Sequence, residues 1–82
     1  FYFLFYCQKG HKDVVNLLLG HSERIDLNAR NNNGQTAFLI SCQKGHRYVI
    51  KLLLDHSERI KLNARTNNGW TALMLACWNG HK

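Results

Sequence analysis

The stretch NNNGQTAFLISCQKGHRYVIKLLLDHSERIKLNAR, residues 31–65, decides the architecture, because the chain restates it on both sides at a fixed step. Cys7, Cys42 and Cys77 lie 35 residues apart, and so do Gly10, Gly45 and Gly80, each followed by a histidine. Residues 7–30 match residues 42–65 at 18 of 24 positions, and residues 31–46 match residues 66–81 at 8 of 16. A step of this length marks a stacked repeat array, in which one unit cannot bury its apolar face without neighbours. We therefore expect one repeat region over residues 1–82: a unit lacking its turn at 1–30, a complete unit at 31–65, and a unit lacking its second helix at 66–82. The chain opens at Phe1, at the point equivalent to Thr36, so we read it as a window from a longer array. Such a window is expected to be poorly stable alone, since a missing half-unit leaves apolar surface uncovered.

Within the complete unit, NNNGQ reads as a turn, because Asn and Gly tolerate positive φ and Asn side chains bond nearby backbone. Thr36 follows as a helix N-cap. A short helix is expected from Ala37 to Lys44, with Phe38, Ile40, Ser41 and Cys42 as its apolar or small contacts and Gly45 as its stop. A second helix is expected from about Arg47 to Asp55, where Val49, Ile50, Leu52, Leu53 and Leu54 make it apolar on most of its circumference. Neither helix is long enough to persist alone in water, so neighbours must hold both. HSERIKLNAR then returns to the next turn, with Ile60 and Leu62 as apolar anchors. The fold class is thus all-α, a helix-turn-helix solenoid with projecting, hairpin-like turns.

The formal charge of +6 arises from 11 Lys and Arg against five acids, spread over all units with no run of five. A dispersed excess favours acidic partners, whereas nucleic-acid binding usually needs a clustered basic stripe, so that reading stands second. Equivalent cysteines in stacked units sit about 10 Å apart, beyond the roughly 7 Å between alpha carbons that a disulfide spans. Unpaired thiols point to a reducing, intracellular compartment, cytoplasm or nucleus. FYFLFY, the one apolar run at the start, is too short to span a membrane and lacks a cleavage site.

Turn, Gly-x-Thr, short helix, Gly-His, apolar helix and long return loop together resemble the ankyrin repeat. The residues that carry the resemblance are NGQTAFLISCQKGH at 33–46, NGWTALMLACWNGH at 68–81, VIKLLLDH at 49–56, and LNAR at 27–30 and 62–65. They follow the family motif Gly-x-Thr-Pro-Leu-His-x-Ala-Ala-x-x-Gly-His without gaps. Ala37 and Ala72 replace its proline, and Leu39 and Met74 replace the histidine that bonds the threonine, exchanging a polar tie for an apolar contact. Two extra residues fall in the HSERI loop, and Phe1 and Tyr2 stand at the cap positions of the first unit, leaving that cap degenerate or absent.

Cys and His recur four apart in CQKGH and CWNGH, a spacing open to a zinc or a catalytic-dyad reading. Each unit offers two ligands where tetrahedral zinc needs four, and no orienting third group accompanies the dyad. We expect no metal, no cofactor and no catalytic residue in this segment; an enzyme whose catalytic domain lies outside it is a further alternative. The resemblance implies instead that the cysteine is a small packing residue and the histidine caps the inter-helix turn. His21 and His56 read as solvated loop residues, and Ser22 and Ser57, each near an arginine, as weak phosphorylation sites.

The resemblance further implies non-catalytic protein–protein recognition, with a partner docked on the concave face formed by turn tips and first helices. Trp70 and Trp78 replace Gln35 and Gln43 of the preceding unit at matching concave positions. We take them as anchors for a partner, because Trp dominates interface energetics; the alternative is that they pack on each other or on a following unit. The remaining concave residues are Gln8, Lys9, Arg30, Asn32, Asn33, Gln35, Gln43, Lys44, Arg65, Asn67, Asn68 and Asn79, an amide-rich and basic set suited to an acidic protein partner. Contacts to flanking units of the same chain are expected as well.

Overall fold

The computed structural model describes residues 2–21 and 25–80. They form five α-helices: α1 (Tyr2–Lys9), α2 (Lys12–Leu19), α3 (Ala37–Lys44), α4 (Arg47–Leu54) and α5 (Ala72–Trp78), with a single 3-10 turn at Ser57–Arg59 and no strand among the described residues. α1, α3 and α5 stack side by side as one layer, while α2 and α4 pack together behind them as a second. The resulting solenoid measures 31 × 22 × 22 Å.

Local chemistry sets both ends of α3 and the start of α5. Thr36 is extended, and its Oγ1 accepts from the Leu39 amide at 3.3 Å; Thr71 does the same for Met74 at 3.3 Å. α3 ends where Gly45 adopts φ 71°, in the left-handed region that a side chain disfavours. That turn lets the His46 amide donate back to the Ser41 carbonyl at 3.1 Å, closing the helix and launching α4 at once. α4 runs to Leu54, with Asp55 as its C-cap. The expected cap at Phe1, the serine at position 22 and the histidine at 81 lie outside the described residues.

α3 is buried along six consecutive residues, Ala37 to Cys42, because it has α1 and α5 on its flanks and α4 behind. Leu39, Leu53, Val15, Val49 and Cys7 form the most deeply buried part of the core. Leu39, in the slot of the family's histidine, is fully buried, in keeping with an apolar contact where a polar tie would stand. Two expected core positions fall elsewhere. Leu54 is 43% exposed, since α4 packs chiefly against α2 and α3 and these leave part of its circumference uncovered, and Leu62 is 37% exposed. Its period mate Leu27 is buried, because the following return loop is tied across it: Asn28 donates through Nδ2 to the Arg59 carbonyl at 2.9 Å and accepts the Lys61 amide at 2.8 Å.

Three further ties couple successive units. The Nε2 of His46 donates to the Gln8 carbonyl at 2.7 Å, so this histidine bonds the preceding unit, and it makes no side-chain capping bond to its own helix. Its ring lies so close to Gly10 that an added Cβ would meet Nδ1 at 2.8 Å. In the turns, the Asn67 amide donates to the Asn33 carbonyl at 3.2 Å, and its Nδ2 to the Asn32 carbonyl at 2.9 Å. Arg30 reaches the carbonyls of Gly34 and Arg65 at 2.7 and 2.6 Å.

Candidate functional site: the concave cleft

Two successive turns and the helices after them build one open cleft. In the first, Asn31 Oδ1 accepts the amides of Asn33 at 2.9 Å and Gln35 at 3.0 Å. In the second, Thr66 Oγ1 accepts the Trp70 amide at 3.1 Å. Each turn also closes its own backbone, Asn31 to Gln35 at 3.0 Å and Thr66 to Trp70 at 2.9 Å. These bonds fix the form of each turn beside the first-layer helix that follows it.

The cleft encloses about 410 Å³ and is lined by Asn33, Gln35, Gln43, Thr66, Asn67, Asn68, Trp70, Leu75 and Trp78. Seven of the residues expected from the sequence meet there: Asn33, Gln35, Gln43, Asn67, Asn68, Trp70 and Trp78. Gln35 is itself nearly buried, its Nε2 donating to Gln43 and its Oε1 accepting from Asn31 at 3.0 Å. One unit later Trp70 and Trp78 occupy the same two positions and meet edge to face, ring centroids 5.5 Å apart at 81°. The tryptophans do pack on each other, yet Trp78 stays 77% exposed.

Other expected residues lie outside the lining. Arg30 and the Arg65 carbonyl brace the base of the turns, Asn32 supplies a carbonyl to Asn67, and the Asn79 side chain donates to the Leu75 carbonyl at 2.9 Å. Lys9 sits 5.8 Å over the Phe5 ring, the Gln8 carbonyl is engaged by His46, and Lys44 is exposed in the last turn of α3. Sequence reasoning missed Thr66 and Leu75. Thr66 was legible as the period mate of Asn31, whereas Leu75 reads as core and serves as the cleft floor.

Cys7 and Cys42 are buried packing residues, whereas Cys77, expected in the same role, is exposed because α5 has a helix on one flank among the described residues. Burial pushes the Cys7 thiol up to about 12, with the neighbouring Ser41 hydroxyl offsetting part of the effect, and burial pushes Cys42 up to about 11. Thiols so raised stay protonated near neutrality and are poor nucleophiles and ligands. Among the described residues no three His, Cys, Asp or Glu side chains gather as metal ligands, and no helix is long and apolar enough to cross a membrane.

Short paired helices in two layers, tied by turn-to-turn hydrogen bonds, define a helical repeat solenoid. The sequence profile described as ankyrin repeats in three copies matches residues 3–82, and the chain belongs to that family. Ankyrin repeats generally mediate protein–protein interaction. Among solved structures, the chain is similar to one chain in the structure described as the Bd0816 predatory endopeptidase from Bdellovibrio bacteriovorus in complex with immunity protein Bd3460. The TM-score is 0.80 at 30% identity, covering 94% of this chain and 38% of that one. The human ASB11 ankyrin repeat domain shares the fold at a TM-score of 0.82 and 23% identity, covering 95% of this chain and 34% of that one. The chain thus spans little more than a third of either. No curated protein sequence matches it.

Proposed function

We propose that this segment is a non-catalytic recognition module whose concave face, turn tips plus first-layer helices, docks a protein partner. The observation that carries the reading is the cleft itself: a rigid, hydrogen-bonded frame that leaves Trp78 77% exposed beside Trp70. Large apolar surface held open by a rigid frame lowers the ordering cost of association and supplies an anchor. The net charge of +6 favours an acidic partner surface over a basic one, and the amides among the described lining residues suit hydrogen bonding to it.

The test is affinity capture from nuclease-treated lysate, with the chain as bait beside the same bait carrying Trp70→Ala and Trp78→Ala. Proteins retained by the first bait and lost by the second support docking on this face. Identical capture by both would remove the cleft from the function. Capture abolished by modest salt and competed by DNA would replace the reading with anionic-polymer binding.

A further inference from the structure

The same two positions in successive units carry a Gln–Gln pair and then a Trp–Trp pair, and the cleft lies between them. Gln35 donates to Gln43 on one wall; Trp70 and Trp78 meet at 81° on the other. Above both walls stand Asn33 and Asn68, period mates on neighbouring turn tips. Their side chains are exposed and have no partner among the described residues. One wall is therefore a pair of amides bonded to each other and the other a right-angled corner of indole faces, with an exposed carboxamide on each of the two turn tips.

We propose that this cleft seats a linear, extended peptide segment of the partner, with one ring-bearing residue (Pro, Phe, Tyr or Trp) in the Trp70–Trp78 corner and no Lys or Arg beside it. The inference rests on the recognition reading above and names the partner's chemistry. A carboxamide pairs its donor and acceptor with the N–H and C=O of an extended backbone, the groups such a segment leaves unpaired. Units about 10 Å apart match one turn of an extended chain in the polyproline II form, three residues at roughly 3.1 Å each, so Asn33 and Asn68 can meet backbone groups on one side of the segment. An edge-to-face indole pair leaves a corner that a flat or cyclic side chain fills through further edge-to-face contact. Indole faces also attract cations, but among the described residues no carboxylate lines this cleft and the chain is net +6, which opposes a basic segment.

The experiment is selection of a phage-displayed library of random linear dodecapeptides on the chain, followed by titration of synthetic consensus peptides monitored by tryptophan emission. The expected consensus holds one ring residue, is depleted in Lys and Arg around it, and binds at least about tenfold more weakly to Trp78→Ala and to Asn68→Ala. Leu73→Ala, also exposed on α5 but outside the cleft, is expected to leave binding unchanged. Far-UV circular dichroism melts of all three variants show whether each still folds, and the exposed position of Trp78 makes its variant the decisive one. A consensus anchored by Lys or Arg would overturn the inference, as would no enrichment, or equal loss with Leu73→Ala. Should no peptide be enriched while lysate capture still depends on the tryptophans, the recognition module stands and the linear-peptide inference alone falls. If neither binding depends on Trp78, both fall.

Discussion

Replacing Leu53 with alanine tests the packing argument most directly. The side chain is fully buried in α4, whose helix packs against both α2 and α3, so neighbours on two sides resist collapse into the space left behind. Losing about three buried carbons removes roughly 2.4 kcal/mol of transfer free energy, and the residual cavity brings the expected cost to about 3–4 kcal/mol. Folded domains of 82 residues are typically stable by about 4–12 kcal/mol and this segment is expected at the low end, so this one change would consume a large share. With a urea dependence of about 1 kcal/mol per molar for a domain of this size, the midpoint should fall by about 3–4 M. Leu54→Ala, next in sequence but 43% exposed, is the internal control and should cost about 1 kcal/mol or less. Urea titrations followed by circular dichroism decide the matter. A loss below about 0.5 kcal/mol for Leu53→Ala, or equal losses for the two leucines, would refute the placement of α4 in the core.

Removing the His46 side chain leaves the Gln8 carbonyl without its inter-unit donor, so His46→Ala should destabilise by about 1–2 kcal/mol in the same urea assay. Thr36→Ala takes away the oxygen that accepts the Leu39 amide and should cost about 1 kcal/mol, again read from the urea midpoint. Under native conditions a thiol reagent should modify exposed Cys77 at once and reach buried Cys7 and Cys42 only on unfolding, as mass spectrometry of partially labelled protein will show. The two buried thiols hold their protons to about 12 and about 11, against an ordinary value of 9.0, so the unfolded chain releases protons first as pH rises. Their contribution to stability is complete below about pH 9 and is lost between there and pH 11–12; the alkaline fall in urea midpoint should be shallower when both cysteines are replaced by alanine.

The first-layer helix of the complete unit was legible to the residue, because Thr36 and Gly45 bracket it with chemistry that acts within one turn of backbone. The turns were legible for the same reason: Asn31 and Thr66 bond amides four residues away. Sequence alone did not show the bonding direction of His46. Gly-His reads as a local cap, yet the ring turns toward Gln8, 38 residues earlier, where the stacked unit presents an open carbonyl. Nor did pattern separate Leu27 from Leu62, identical in register but buried and exposed by the presence or absence of a tied loop above them.

What the sequence by itself determined is the period, the helix ends and the family, since all rest on residues close together in the chain or spaced by a constant step. Tertiary structure alone decided which period mates are core and which are surface. Phe38 is 9% exposed while Leu73, its equivalent, is 74% exposed, because α3 has a helix on each flank and α5 is flanked, among the described residues, by α3. It also decided that positions 35 and 43, and again 70 and 78, meet across eight residues, turning two glutamines into an amide wall and two tryptophans into an aromatic corner. Burial in a repeat array depends on neighbours, and a single unit's residues carry no record of which neighbours are in place.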